Sequence, residues 1–163
     1  MAKILDGNEM FPQLLQYKTK NSFVMYIENI PTSLIKMANR PSISFETIVV
    51  DHINVKRKYQ GKGDWSDLTI NLYDPIVPSG AQTIIEWIRL SHESWTGRRG
   101  YADMYKKDIT LALLGPVGDF VEEWQIKGAF ITQAGFGDLD WSSGADITGI
   151  DVTLAYDYAL LVY

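Results

Sequence analysis

Between Val121 and Tyr158 the chain alternates apolar and polar positions over two long stretches. Amphipathic strands are predicted at about 121–131 and 148–158, because successive side chains of a strand point to opposite faces. In the first, Trp124, Ile126 and Phe130 share one face, and Glu123, Gln125 and Lys127 the other. In the second, Ile150, Val152, Leu154, Tyr156 and Tyr158 alternate with Asp151, Thr153, Ala155 and Asp157. Such a pattern predicts a sheet that buries one face and wets the other. A Gly/Asp/Ser-rich connection containing Leu139-Asp140-Trp141 joins the two.

The same reading extends upstream. Ser22–Glu28 is a predicted strand, and Thr32–Arg40 a connector bracketed by Pro31 and Pro41. Ser42–Asp51 and Ile53–Gln60 are strand-like, Gly61-Lys62-Gly63-Asp64 supplies a turn, and Trp65–Tyr73 returns. A long projecting hairpin over residues 42–73 follows, with Lys56-Arg57-Lys58 near its tip. One helix is expected over residues 79–93. Ser79-Gly80-Ala81-Gln82 has the Ser-x-x-Gln form of a capping box, and Ala81, Ile84, Ile85 and Ile88 make one apolar stripe. Asp108–Leu114 is a further strand, tightly connected to the next by Gly115-Pro116-Val117-Gly118-Asp119. The fold class is mainly β: an antiparallel β-barrel or sandwich of about seven strands, with one flanking α-helix and the long hairpin. Residues 1–163 read as a single domain with an extended amino-terminal arm at 1–21, since no repeat or linker divides them.

Composition removes most chemistry. The absence of cysteine excludes a disulfide framework and thiolate catalysis. A formal charge of −5, from 20 acidic and 15 basic residues, argues against a protein that grips nucleic acid, because that affinity comes from neutralised phosphates. No apolar run approaches the ~20 residues of a membrane-spanning helix, so no membrane anchor is expected. Gly135-Phe136-Gly137 and Gly61-Lys62-Gly63 match no phosphate-binding loop. Asp138, Asp140 and Asp146 lack the spacing of a calcium loop. His52 and His92 stand beside no nucleophile signature, and Glu122 and Glu123, as strand neighbours, point to opposite faces. The five tryptophans lack the interleaved cations of a base-stacking groove. No catalytic residue, metal site or cofactor is predicted.

The order of parts resembles the tail tube proteins of contractile-tailed bacteriophages, the T-even-like myovirus family, a group related to the tubes of contractile injection systems. The resemblance spans about Ser22 to Tyr158. It rests on the long hairpin with its Gly-Lys-Gly-Asp-Trp turn, the strand Trp65-Ser66-Asp67-Leu68-Thr69-Ile70 and the Trp-containing helix. Further along stand Tyr105-Lys106-Lys107-Asp108-Ile109, Ile126-Lys127-Gly128-Ala129-Phe130, Gly137-Asp138-Leu139-Asp140-Trp141 and Val152-Thr153-Leu154-Ala155-Tyr156-Asp157-Tyr158.

The resemblance implies a structural virion protein, not an enzyme. Hexameric rings of the chain would stack helically into a tube inside a contractile sheath, with sheath, baseplate and tail terminator proteins as partners. DNA would pass through the lumen without specific binding, and the tube would assemble in the host cytoplasm. Within that picture Thr69, Glu123, Asp151 and Asp157 are expected to face the lumen. Met10, Phe11, Lys56, Arg57, Lys58, Lys62 and Asp64 are expected to carry contacts between rings. The tube of a tailocin or secretion-like injection system is the alternative. A monomeric OB-like or lipocalin-like binding module belongs to a different class, and rings or filaments under the microscope would separate it from both.

Overall fold

The computed structural model describes residues 16–162. Within them lie nine strands: β1 (Phe23–Ile27), β2 (Ile35–Ala38), β3 (Ile43–His52), β4 (Val55–Trp65), β5 (Leu68–Tyr73), β6 (Lys107–Leu114), β7 (Phe120–Gly135), β8 (Gly149–Ala155) and β9 (Tyr158–Leu161). Helix α1 (Gly80–Ser91) and the single turn α2 (Ala102–Tyr105) complete the regular structure. Seven strands form one antiparallel sheet in the order β1-β6-β7-β8-β5-β2, with β9 beside β7; β3 and β4 form a separate ribbon. The fold is mainly β, an open sheet folded in the manner of a sandwich.

Strand β7 makes that folding possible. Its first half pairs with β6 and β9, its second half with β8. Lys107 faces Ala129 while Ile109 faces Ile126, so β7 carries one extra residue around Gly128, whose φ is 67°. A bulge of this kind bends a strand and increases its twist. A second register shift follows between Ile131 and Gln133. The two halves of the sheet consequently share one core. Met25, Ile109, Leu111 and Ile126 from one half pack in the same cluster as Leu68, Ile70, Leu72, Ile150, Val152 and Leu154 from the other. Helix α1 adds Ile84 and Trp87, with Ala81 and Ile88 at the margin. The Trp87 Nε1 donates to the Tyr105 carbonyl at 2.7 Å, which ties α1 to α2.

Several expectations shift, each for a local reason. The Gly128 bulge inverts the alternation, so Ala129 is buried and Phe130 turns outward, its ring against Tyr105 and Lys106. The last strand divides in two: β8 ends at Ala155, and β9 crosses to pair with the first half of β7. Ala159 there faces the core at 6% exposure, whereas Tyr158 is 47% exposed and faces out. The long hairpin reverses at Ile53 and Asn54, with Ile53 at φ 52°, not at Gly61–Asp64. Gly61 and Gly63 instead sit inside β4 where the partner strand comes close: an added Cβ would lie 3.0 Å from Glu46 and 2.9 Å from the Phe45 ring. The returning segment from Leu68 to Tyr73 belongs to the main sheet. The 32–40 connector holds a short 3-10 turn, Thr32–Leu34, and then β2, which pairs with β5.

Helix α1 begins as the Ser79 signal predicts, but its cap differs. The Ser79 hydroxyl accepts from the Gln82 N–H at 3.4 Å, while the Gln82 side chain turns to Glu86. Asp74 does the larger part, its Oδ1 accepting from the N–H groups of Gly80 at 2.9 Å and Ala81 at 3.2 Å. A carboxylate at a helix N-terminus satisfies orphan donors and complements the helix dipole.

Candidate assembly interface

Ribbon β3–β4 is the largest element without a core of its own. Both strands are exposed along almost their whole length. Directly opposed residues share a face, and Ile48 opposes Tyr59, Val50 opposes Arg57 and His52 opposes Val55. One face is thus largely apolar, carrying Ile48, Val50, Val55 and Tyr59, each about half exposed or more, beside Arg57 and His52 toward the reversal. The other face presents Thr47, Val49 and Asp51 opposite Gln60, Lys58 and Lys56. A two-stranded ribbon is marginal in water, and one with an uncovered apolar face invites a partner. At its base Trp65 packs on Tyr156, with ring centroids 6.0 Å apart. Lys56, Arg57 and Lys58 follow the reversal at Ile53 and Asn54, while Lys62 and Asp64, expected at a turn over Gly61–Asp64, stand near the base, and all five are exposed. Met10 and Phe11 lie outside the described residues.

The four residues predicted to face a lumen do not share one surface. Thr69 pairs with Thr153 and Asn71 with Asp151, all four on the outward face of the β2-β5-β8 half, where the Asn71 amide donates to Asp151. Glu123 lies on the outward face of the other half, opposite Ala112. Asp157 stands at the corner where β8 gives way to β9. Lys106 donates to both of its carboxylate oxygens, at 2.8 and 2.9 Å. Beside it Lys127 donates to Asp108 at 2.8 Å, and that bond holds the Asp108 carboxyl below its ordinary value and the Lys127 ammonium above its own.

Glu122 performs a task that its adjacency to Glu123 does not reveal. At 5% exposure it points inward and gathers Lys18, Arg40 and the Trp124 indole N–H around its carboxylate. Burial opposes its charge, but the hydrogen bonds from Lys18 and Trp124 and the neighbouring cations prevail, so its pKa is lowered. The segment ahead of β1 and the one after β2 are thereby fastened to β7. The spacing of Lys18, Arg40 and Glu122 along the chain gives no hint of this.

Nothing in these surfaces assembles a reaction centre. No group of three potential ligands for a metal occurs among the described residues. No described helix is long and apolar enough to cross a membrane. Exposed strand edges, a largely apolar ribbon face and ordered polar faces are surfaces suited to contact with other chains.

Comparison with known proteins finds relatives that are assembled. No family model matches the chain. Over 155 residues, 93% of this chain and 91% of the relative, it is 26% identical to the tail tube protein gp19 of Enterobacteria phage T4. Against the gp19 of Enterobacteria phage T6 it is 27% identical over 156 residues, with the same coverage. The fold superposes on the sheath/tube terminator of the extracellular contractile injection system PVC with a TM-score of 0.73, at 21% identity, covering 92% of this chain and 99% of that one. It also superposes on the tube terminating cap of the anti-feeding prophage with a TM-score of 0.73, at 19% identity, covering 96% and 98%. Along nearly its whole length the chain is thus similar to contractile tail tube proteins, and its fold is that of contractile injection system tube components. These relatives are structural tail tube proteins and not enzymes.

Proposed function

We propose that the chain, acting as one tube domain, forms hexameric rings that stack helically into the inner tail tube of a contractile phage particle, through which DNA is ejected. The largely apolar face of the β3–β4 ribbon carries this reading, since none of its residues joins the core of its own chain and an uncovered face of this kind suits a neighbouring copy. The ribbon, with Lys56, Arg57, Lys58, Lys62 and Asp64, makes the contact between rings, together with Met10 and Phe11 of the arm.

Sheet edges supply the ring. The half formed by β2, β5, β8 and the end of β7 offers about four strands, and six copies closing edge to edge give about 24. At ~4.8 Å per strand and a tilt near 45° the circumference is about 160 Å, leaving a bore of roughly 40 Å. The outward face of that half, with Thr69, Asn71, Asp151 and Thr153, lines the bore. Asp151 there repels phosphates and the hydroxyls and amide offer no cation to neutralise them, so DNA slides without being bound. Glu123 would take that place only if the other half faced inward, and Asp157 is engaged with Lys106. Sheath, baseplate and terminator proteins are the expected partners, in keeping with the sheath-tube complex and baseplate structures whose fold is similar.

A second reading is the tube of a phage-derived injection apparatus, favoured by the fold likeness to injection-system components. Neighbouring capsid and portal genes would decide for the phage. Assembly itself is tested by size exclusion over a range of concentrations with negative-stain microscopy. Rings about 40 Å in bore, growing into tubes, are expected; a monomer at every concentration overturns the reading.

A further inference from the structure

The sheet has two free edges beside each other's natural complement. One is the end of β7, from Phe130 to Gly135, which pairs with β8 on one side only. It runs directly into the loop of residues 136–148. The other is β2, which pairs only with β5. A groove of about 790 Å³ opens alongside it, between β2 and the β1–β6 edge, lined by Lys18, Lys20, Lys36 and Arg40 over Phe23 and Leu113. A chain of net charge −5 thus lines one apolar-floored groove with four cations and, among the described lining residues, no acid. Lys18 and Arg40 are held in place by Glu122 beneath. Lys20 and Lys36 join no ion pair among the described residues.

The 136–148 loop is the reverse in character. It contains Asp138, Asp140 and Asp146 and no Lys or Arg, and raises Leu139, Trp141 and Ile147 into solvent, Trp141 completely. Asp140 orders the crest, accepting from the Ser142 N–H at 2.9 Å and hydroxyl at 2.7 Å. These bonds, the backbone one first, lower the Asp140 pKa and keep its charge in place. No loop residue lines the groove of its own chain.

We propose that the 136–148 loop of one copy seats in the basic groove beside β2 of the next, its aspartates against Lys20, Lys36 and Arg40 and its apolar crest over Phe23 and Leu113. The inference rests on the ring reading above. Within one chain Gly135 is level with Met37, because Gly135 faces Asp151, Asp151 faces Asn71 and Asn71 faces Met37, so a neighbour that brings its β2 to the free edge of β7 at that same level receives the loop beside its own Met37. The contact is heterologous, one surface against a different one, which is the kind that closes rings. Charge complementarity then fixes the register in which the edges meet.

Reciprocal charge reversal in the full chain tests this. Lys20→Glu with Lys36→Glu, and separately Asp138→Lys with Asp146→Lys, should each raise at least tenfold the protein concentration at which rings form. Both variants should melt like the parent, and equal mixing of the two should restore assembly. A parent chain that never assembles would overturn the ring reading and this inference with it. A parent that assembles while either variant does so equally well, or while the folded variants stay apart on mixing, overturns the inference alone. Because the chain has no cysteine, Asn39→Cys combined with Ser143→Cys gives a second readout, a short thiol cross-linker expected to produce a ladder of linked copies. An intramolecular link, no link in assembled rings, or preferential linking of Asn39→Cys to Met10→Cys assigns the groove to another occupant and rejects the proposal.

Discussion

Gly128 and Asp157 meet at the corner of the fold: a Cβ on Gly128 would lie 2.1 Å from the Asp157 carboxylate, which Lys106 grips through both oxygens. The Asp157 N–H also donates to the Lys127 carbonyl at 3.0 Å. Here β7 passes from one half of the sheet to the other, and the β8–β9 connection passes back. With φ at 67°, position 128 favours glycine twice over, by backbone conformation and by space. Gly128→Ala should destabilise the fold by about 1–3 kcal/mol, the sum of backbone strain and a displaced ion pair. Chemical denaturation measures it. Asp157→Ala in the same background should recover the steric share and leave the backbone share, and a double variant less stable than Gly128→Ala would refute the close approach.

The carboxylate of Glu122 makes stability depend on acid. Its folded pKa is lowered, so it stabilises the fold above its unfolded pKa and loses that contribution as pH falls through the folded value. The window lies below the ordinary glutamate value of about 4.3. Denaturation midpoints compared at pH 7 and pH 3.5 should fall less for Glu122→Gln than for the parent. Lys18→Ala, removing a partner that is half exposed, should cost about 0.5–1 kcal/mol at pH 7. An unchanged acid slope in Glu122→Gln would show that other carboxyls govern it.

Ile48→Asp with Val50→Asp should separate folding from assembly. Both side chains are about half exposed and belong to the ribbon, so Tm should move by no more than about 2 °C. Tube formation should be abolished at concentrations where the parent polymerises. Normal tubes from this variant, seen by negative stain, would remove the ribbon from the contact between rings.

Helix α1 offers a comparison of two caps. Asp74→Ala leaves two N–H groups without their acceptor and should cost about 1–2 kcal/mol. Ser79→Ala loses two long bonds, one accepted from the Gln82 N–H and one donated to Asp74, and should cost about 0.5 kcal/mol. Thermal melts rank the two, and equal costs would mean that Asp74 adds nothing beyond the local signal.

What the sequence determined by itself was whatever repeats within a few residues. Strand periodicity placed the apolar faces of β5, β6 and β8, because neighbouring side chains must alternate, and those residues do form the core. Ser79 and the stripe from Ala81 to Ile88 placed α1 for an equally local reason, the turn length of a helix. The likeness to tail tubes was legible through the order of such parts.

Tertiary structure decided wherever two distant segments meet. Phe130 and Tyr158 left the faces that alternation gave them because the Gly128 bulge shifts the register of β7 and the Asp157 corner separates β8 from β9. Gly61 and Gly63, which locally read as a turn, are set inside a strand by the crowding of Glu46 and Phe45 opposite. Asp74 became a cap, and Glu122 an anchor for Lys18 and Arg40, only because folding brought their partners within hydrogen-bond reach. Periodicity is a property of one strand, whereas a bulge, a buried ion pair and a shared face belong to pairs of segments, and no single stretch of chain contains both members.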